Sequence, residues 1–411
     1  MTRRIVGLDI GSTAIRAVEV EGTSTPVVTR YRQIPVPDGV IDCGEIADAP
    51  AVTALLKRLW AVGGFRTKRV VLGIGNPRVV VRDLTVPRAT PQLVRESLPL
   101  YVQDLLTVPV SDAVLDFYPT SDGTLDGIPI LNGLLVAAVK DVVTTNIVAA
   151  QRAGLTAVNV DLIPFALVRL LTTTVRMGTI ALVDVGARTT TFVVAVRGIP
   201  QFVRIIPTGG HDLTTLLAQR LNLTPVHAEN LKRSAGLIPA AQDEAANTIQ
   251  AYSSDLLDSI RNTLRYFASA HPEIPVEQLV LSGGGSHLDG LREALAEITR
   301  LPVSRSHPFA GVPVAKHARH GDPDHAGEMT VALGLALGSI AGSTTGLLNA
   351  AEPAAAAIIA AETPNPRATG RAATRAAAVP PPVPAIPDGR RTPAPERTSS
   401  PGHSAISEHT P

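Results

Sequence analysis

One strand–Asp–x–Gly–turn–strand unit occurs twice in this 411-residue chain. Residues 6–20 read VGLDIGSTAIRAVEV and residues 181–195 read ALVDVGARTTTFVVA. With the two copies in register, Asp9 falls on Asp184 and Gly11 on Gly186. A single Asp-x-Gly is an ordinary β-turn sequence. Two at matching places in two halves predict a duplicated fold, with two similar lobes facing a cleft. Strand and helix periodicities alternate around both copies. Strands are expected at 5–10, 15–20, 27–34, 70–74 and 79–86, then at 114–118, 131–139 and 156–160. In the second half they are expected at 179–184, 190–197, 201–207 and 279–282. Helical spacing covers 49–62, 90–106, 142–153, 164–173, 211–270, 288–295 and 328–339. On 90–106, Leu93, Leu98, Tyr101 and Leu105 are expected on the inner face. This pattern is α/β, with mixed sheets flanked by helices.

Composition removes several classes. Apolar residues make up 45% of the chain, ample for a buried core. The 37 basic and 36 acidic residues nearly cancel, so bulk charge gives no reason to expect a nucleic-acid partner. A single cysteine, Cys43, excludes a disulfide framework and a Cys-based zinc site, and reads as a loop thiol. The first apolar stretch is broken by Asp9, so no signal peptide is expected and the protein is expected in the cytoplasm. The uncharged run 329–351 is rich in Gly, Ser and Thr and reads as a helix and a loop, not a membrane span. Residues 351–411 hold 12 of the 34 prolines. They are expected to form a disordered Pro/Ala-rich tail, taken from 343 onward, because such a segment buries too little apolar surface to offset its ordering entropy. Deleting 352–411 is therefore expected to leave the melting temperature and ATP affinity nearly unchanged.

A turn after strand–Asp–x–Gly suits phosphate. Glycine admits close backbone approach, and successive turn amides form an anion-binding concavity. The hydroxyls of Ser12, Thr13 and Thr189 add donors. Each preceding Asp repels phosphate, so its expected role is to serve a magnesium ion that bridges phosphate oxygens. Two further elements follow. Residues 227–233, HAENLKR, place Glu229 and Lys232 three apart on one helix face, as a surface ion pair or as groups reaching a ligand. Residues 281–291, LSGGGSHLDGL, end a strand in Gly283, Gly284 and Gly285 and then start a helix. Such a turn favours a polar ligand edge at the helix N-terminus. The spacing is neither a dinucleotide fingerprint nor a Walker A loop.

In this order the four elements resemble the actin-like ATPase superfamily. Within it the chain is similar to the PilM family of type IV pilus assembly, relatives of the division protein FtsA. The residues that carry this are 7–19, the 37–42 loop PDGVID, 182–191, 209–214 and 228–233, then 281–291, 308–311 and 331–337. The resemblance covers about residues 3–342. It implies two lobes around a nucleotide cleft, with the first lobe in 1–83, a small inserted α+β subdomain in 84–160, and the rest of both lobes in 161–342. It implies ATP and magnesium as ligands. Carried over, Asp9 and Asp184 would serve the metal, and Gly11, Ser12, Thr13, Gly186, Ala187 and Thr189 the phosphates. Glu229, Lys232 and the three glycines would meet the adenosine. The implied role is a cytoplasmic scaffold, peripheral to the inner membrane through the cytoplasmic tail of a PilN-like single-span protein, with self-association allowed.

There are two departures from the superfamily pattern. Where a water-orienting Gln or Glu is expected on the helix after the fifth strand, the sequence places Ile163, and Asp161 is the only nearby carboxylate, a candidate for catalysis or for facing the metal. Hydrolysis is therefore expected to be weak or absent. No basic–aromatic anchor helix follows the body, which weighs against an FtsA-like division filament. A small-metabolite kinase would need a catalytic Asp facing the γ-phosphate, and only Asp161 is near.

Overall fold

The computed structural model describes residues 3–22, 25–102, 105–106, 108–171, 178–237, 243–318, 328–341 and 347–362. The first half runs β1 (Arg4–Ile10), β2 (Ala14–Glu21), β3 (Val27–Pro35), β4 (Ile41–Asp42), β5 (Glu45–Ile46), α1 (Ala49–Gly63) and β6 (Arg69–Ile74). It continues with β7 (Val80–Pro87), α2 (Pro91–Tyr101), β8 (Ala113–Leu125), β9 (Ile128–Val139), α3 (Lys140–Arg152), β10 (Thr156–Leu162) and α4 (Ile163–Leu171). The second half runs β11 (Thr179–Val185), β12 (Thr190–Val196), β13 (Ile199–Ile206), α5 (Gly210–Arg220), α6 (Pro225–Ala235) and α7 (Glu244–Ala270). It ends with β14 (Gln278–Ser282), α8 (Leu291–Thr299), β15 (Val303–Arg305), α9 (Thr330–Ala341) and α10 (Leu347–Glu362).

The repeat seen in the sequence is a repeat in topology. One sheet has the order β10-β6-β1-β2-β3 and the other β15-β14-β11-β12-β13. In both, the hairpin strands are antiparallel and the strands on the far side are parallel. Helix starts follow local chemistry. Asp48 and Thr90 accept hydrogen bonds from the amides of Ala51 and Leu93, each with a proline in the first helical turn. Between the two sheets lies α9. Its Leu333, Leu335 and Ala336 are fully buried in one cluster with Val18 and Val20 of β2 and Leu182 of β11. Within the uncharged run 329–351, residues 330–341 are thus an internal helix, 347–351 begin α10, and 342–346 lie outside the described residues. No helix among the described residues is long and apolar enough to cross a membrane.

Three sequence expectations change. The stretch 211–270 is not one helix. Asn222 takes φ 51° before the Thr224–Pro225 start of α6, and Gly236 takes φ 58° after it. Helix α2 stops at Tyr101, short of 106, and buries Val94 and Leu98. Leu93 and Tyr101 are 55% and 40% exposed. The four-residue step from Val94 to Leu98 and Val102 sets the inner face, not the larger leucines. The insert is also smaller than 84–160. Strands β7, β9 and β8 form their own antiparallel sheet, closed by Asp126–Gly127 with φ 51° and 80°, the two positive angles of a type I′ hairpin turn. Strand β10 pairs in parallel with β6, so it belongs to the first lobe.

Helix α10 corrects the tail. Its Leu347, Ala351 and Ala355 are fully buried in the first lobe's core cluster, and Ile359 packs against that cluster. Composition hid this stripe, because two of its four members are alanines in an Ala-rich run. Residues 363–411 lie outside the described residues. Deleting 352–411 removes Ala355 and Ile359 from the core, so the melting temperature is now expected to fall by several degrees. The scale is roughly 2–4 °C per kcal/mol lost in a domain of a few hundred residues. Differential scanning calorimetry checks this, and an unchanged transition would contradict the packed helix.

Candidate nucleotide site

The two Asp-x-Gly turns close with the same hydrogen bond. The Gly11 amide donates to the Ala14 carbonyl at 3.1 Å, and the Gly186 amide to the Thr189 carbonyl at 2.9 Å. Both turns line one cavity of about 1060 Å³. Its wall includes all six residues expected at phosphate: Gly11, Ser12, Thr13, Gly186, Ala187 and Thr189. Helix α5 abuts the second turn, since the amides of Gly210 and His211 donate to Gly186 and Ala187 at 2.9 and 2.7 Å. The 37–42 loop reaches across the cleft. Asp42 lies 3.5 Å from Arg188, and Asp38 lies 3.5 Å from His211. Cys43 sits in the β4–β5 turn with its thiol toward the Arg188 carbonyl.

Asp9 and Asp184 stand at the ends of β1 and β11, inside the same cavity. Arg16 on β2 is the cross-strand partner of Asp9 and approaches it to 3.6 Å. It also donates to Glu328 through Nε at 3.2 Å and Nη2 at 2.5 Å. Sequence reasoning passed over both residues. The signal for Arg16 was the hairpin register, which places it directly opposite Asp9. Glu328 carried none, because it is a distant residue brought in just before α9. Burial pushes the Asp9 carboxyl up, and Arg16 partly offsets that. Burial pushes the Asp184 carboxyl up to about 6; Ser282 opposes the rise and Asp9 adds to it. Three carboxylates, Asp9, Asp184 and Glu328, face the one guanidinium of Arg16, and that excess of negative charge suits a hard cation. Among the described residues no cluster of three or more His, Cys, Asp or Glu could hold a metal by itself. A magnesium ion here would complete its shell with phosphate oxygens and water, which is how that ion is usually bound.

Glu229 and Lys232 pair at 2.6 Å on α6. Thr214 of α5 donates to Glu229 at 2.6 Å, and Lys232 donates to the Gly210 carbonyl at 3.0 Å. Burial opposes charge on Glu229, yet hydrogen bonds from Lys232, Thr214 and Arg233 hold its carboxyl at about 2. The Glu229 carboxyl therefore stays ionised at neutral pH; burial lowers the pKa of the Lys232 ammonium and Glu229 opposes that, and both line the cavity beside the α5 N-terminus. The three glycines divide in role. A Cβ on Gly283, which takes φ 81°, would lie 2.4 Å from the Val185 carbonyl oxygen, and one on Gly285 would lie 2.5 Å from the Val185 side chain. Those two let the turn seat on β11. Gly284 meets only Glu328, at 3.8 Å, and so leaves backbone open to the cleft.

A model of the type IV pilus assembly protein PilM family matches residues 7–340. The chain belongs to the PilM family. Among solved structures it is similar to the PilM–PilN type IV pilus biogenesis complex, at 27% identity and a TM-score of 0.73. That match covers 82% of this chain and 98% of the other. It is 21% identical to the cell division protein FtsA of Bacillus subtilis, over 75% of this chain and 79% of FtsA. A solved ethanolamine utilization protein EutJ from Carboxydothermus hydrogenoformans aligns at 16% identity over 82% of this chain and 90% of that one, with a TM-score of 0.48. The duplicated sheets and central cleft are those of an actin-like ATPase fold, as the resemblance implied.

In this PilM-family chain the side chain at the start of α4 is apolar. Ile163 lines the cavity and packs over Gly73 of β6 and Gly75 just after it. It offers no group to orient a water. Asp161 is the wrong alternative. Its side chain is fully buried, 2.6 Å from Arg169, and accepts from the Leu162 amide at 2.8 Å. It does not line the cavity, so it is dropped as a catalytic candidate. Turnover by the purified chain is expected far below the roughly 1–100 s⁻¹ typical of kinases. Phosphate release measured without partners checks this, and release within that range would place a catalytic group where none is seen.

Proposed function

We propose that this chain is a nucleotide-binding scaffold of a type IV pilus, or a related secretion system, in which ATP binding regulates docking more than it drives turnover. Two equivalent turns face one cavity, and Ile163 stands where a hydrolytic enzyme needs a polar group. That combination is the observation that carries the reading. The turn amides, with Ser12, Thr13 and Thr189, would hold the phosphates. Arg16 would add positive charge next to them. Asp9 and Asp184 would hold magnesium, which when bound neutralises phosphate charge. Glu229, Lys232 and the open backbone at Gly284 would receive the adenosine. A kinase is disfavoured because Asp161 is locked to Arg169.

The partner is the cytoplasmic segment of a PilN-like single-span membrane protein, by analogy with the solved PilM–PilN complex. Through it the chain would sit at the inner face of the membrane. The seam where the insert meets the first lobe is the docking place, because Val114 of β8 there shares one apolar cluster with Val143 and Ile147 of α3 and Val160 of β10. Nucleotide and partner should then change each other's affinity by the same factor. Calorimetric titration of the partner's cytoplasmic peptide, with and without Mg-ATP, tests this. Binding that depends on nucleotide supports it. No binding in either state would overturn the scaffold reading.

A further inference from the structure

Helix α10 packs against α3 and β10 of the first lobe and against β8 of the insert, so it lies along the seam between them. Its inward stripe is Leu347, Ala351, Ala355 and Ile359, at strict four-residue spacing. The same cluster contains Val143, Ile147 and Ala150 of α3, Val160 of β10 and Val114 of β8. The family match ends at residue 340, and α10 begins at Leu347. The helix therefore lies beyond the length matched by the family model, seated on a seam built from residues within that length.

We infer that α10 is a built-in occupant of that seam and that a partner segment must displace it to dock. The inference rests on the proposed docking place. Two of the four anchors are alanines, which bury less apolar area than leucine or phenylalanine would at the same positions. Docking by such a helix is weak for its length. It holds because the tether from Ala341 is short, which makes the local concentration of α10 high. A partner segment carrying large aliphatic or aromatic side chains at the alanine positions gains contacts that α10 lacks, and so can compete with it. The closed state then lowers apparent partner affinity by the fraction of molecules in which the seam is open.

The test compares the full chain with its Ala351→Glu/Ala355→Glu variant. Both positions are fully buried, so a carboxylate at each expels the helix while leaving the seam's own residues unchanged. Two probes are used: a labelled peptide of residues 347–362 and the cytoplasmic segment of the PilN-like protein. The variant should bind the labelled peptide in trans, and the wild type should bind it at least about tenfold more weakly. The partner segment should bind the variant about tenfold more tightly than the wild type and should compete with the labelled peptide. Equal affinity for both chains overturns the inference and leaves the docking reading standing. No binding of the partner to either chain overturns the docking reading itself. Hydrogen exchange of the wild type covers the case of a variant that fails to fold. At saturating partner segment, exchange across 347–362 should rise, and unchanged or slower exchange overturns the inference.

Discussion

Asp184→Asn is expected to abolish magnesium-dependent nucleotide binding and to raise the melting temperature of the nucleotide-free protein. Both effects come from one carboxylate in a poor place for an unaccompanied charge. Burial lifts its pKa to about 6, against roughly 3.9 in an unfolded chain. Between those values the folded protein holds a proton that the unfolded chain has lost. Stability therefore falls as pH rises from about 4 to about 6, and the cost stays constant above. The cost is on the order of 3 kcal/mol at most. Asparagine removes it, so the gain should show at pH 8 and vanish near pH 4. The same change removes a proposed metal ligand, so Mg-ATP affinity should collapse. In the wild type, affinity should fall as pH drops through about 6, because the protonated acid cannot hold the ion. Thermal melts at the two pH values, with and without Mg-ATP, check both halves. A variant that is destabilised at pH 8, or that keeps its nucleotide, would refute this role for Asp184.

Arg16→Gln is expected to act in the opposite direction on stability. It leaves Asp9 and Glu328 in the cleft without the guanidinium that both approach. Removing one partner of a buried ion pair typically costs about 3–5 kcal/mol, much of it the uncompensated charge left behind. Asp9 is already pushed above its ordinary value by burial, and Arg16 is what holds it down. Without Arg16 the carboxyl rises further, so stability falls with increasing pH and recovers as the acid is protonated. The variant should thus lose most at pH 8 and least near pH 5. Arg16→Lys should restore much of the loss, since it keeps the charge and gives up only the forked geometry. ATP affinity of the Gln variant should drop as well. Chemical denaturation at both pH values measures this, and an equal loss at pH 5 and pH 8 would show that packing, not charge, is Arg16's contribution.

The sequence showed the parts of the site that repeat and missed the parts that the fold brings in from elsewhere. Asp9, Gly11, Asp184 and Gly186 were legible because two copies of a short motif are far less probable by chance than one. Ile163 was legible because the resemblance marks the helix after the fifth strand, and residues 160–165 there read VDLIPF. Arg16 sat in the repeated motif yet reads as one more residue of a strand, although pairing the two strands puts it across from Asp9. Glu328 could not be read, since nothing local says that the start of α9 meets the first hairpin. Helix α10 was lost to composition, because alanines count as weak core formers until a groove of the right depth is seen. Leu93 was misplaced for the converse reason: a large apolar residue draws attention, but Val94, Leu98 and Val102 hold the four-residue step that faces the insert's sheet.

Everything proposed for the cleft requires that turns from both lobes clamp one Mg-ATP. Calorimetric titration of ATP tests this, run with magnesium and with a chelator on the wild type, Asp9→Asn and Asp184→Asn. A two-turn clamp gives saturable one-to-one binding by the wild type with magnesium, its loss on chelation, and its loss in each variant. Unchanged affinity in both variants would contradict it.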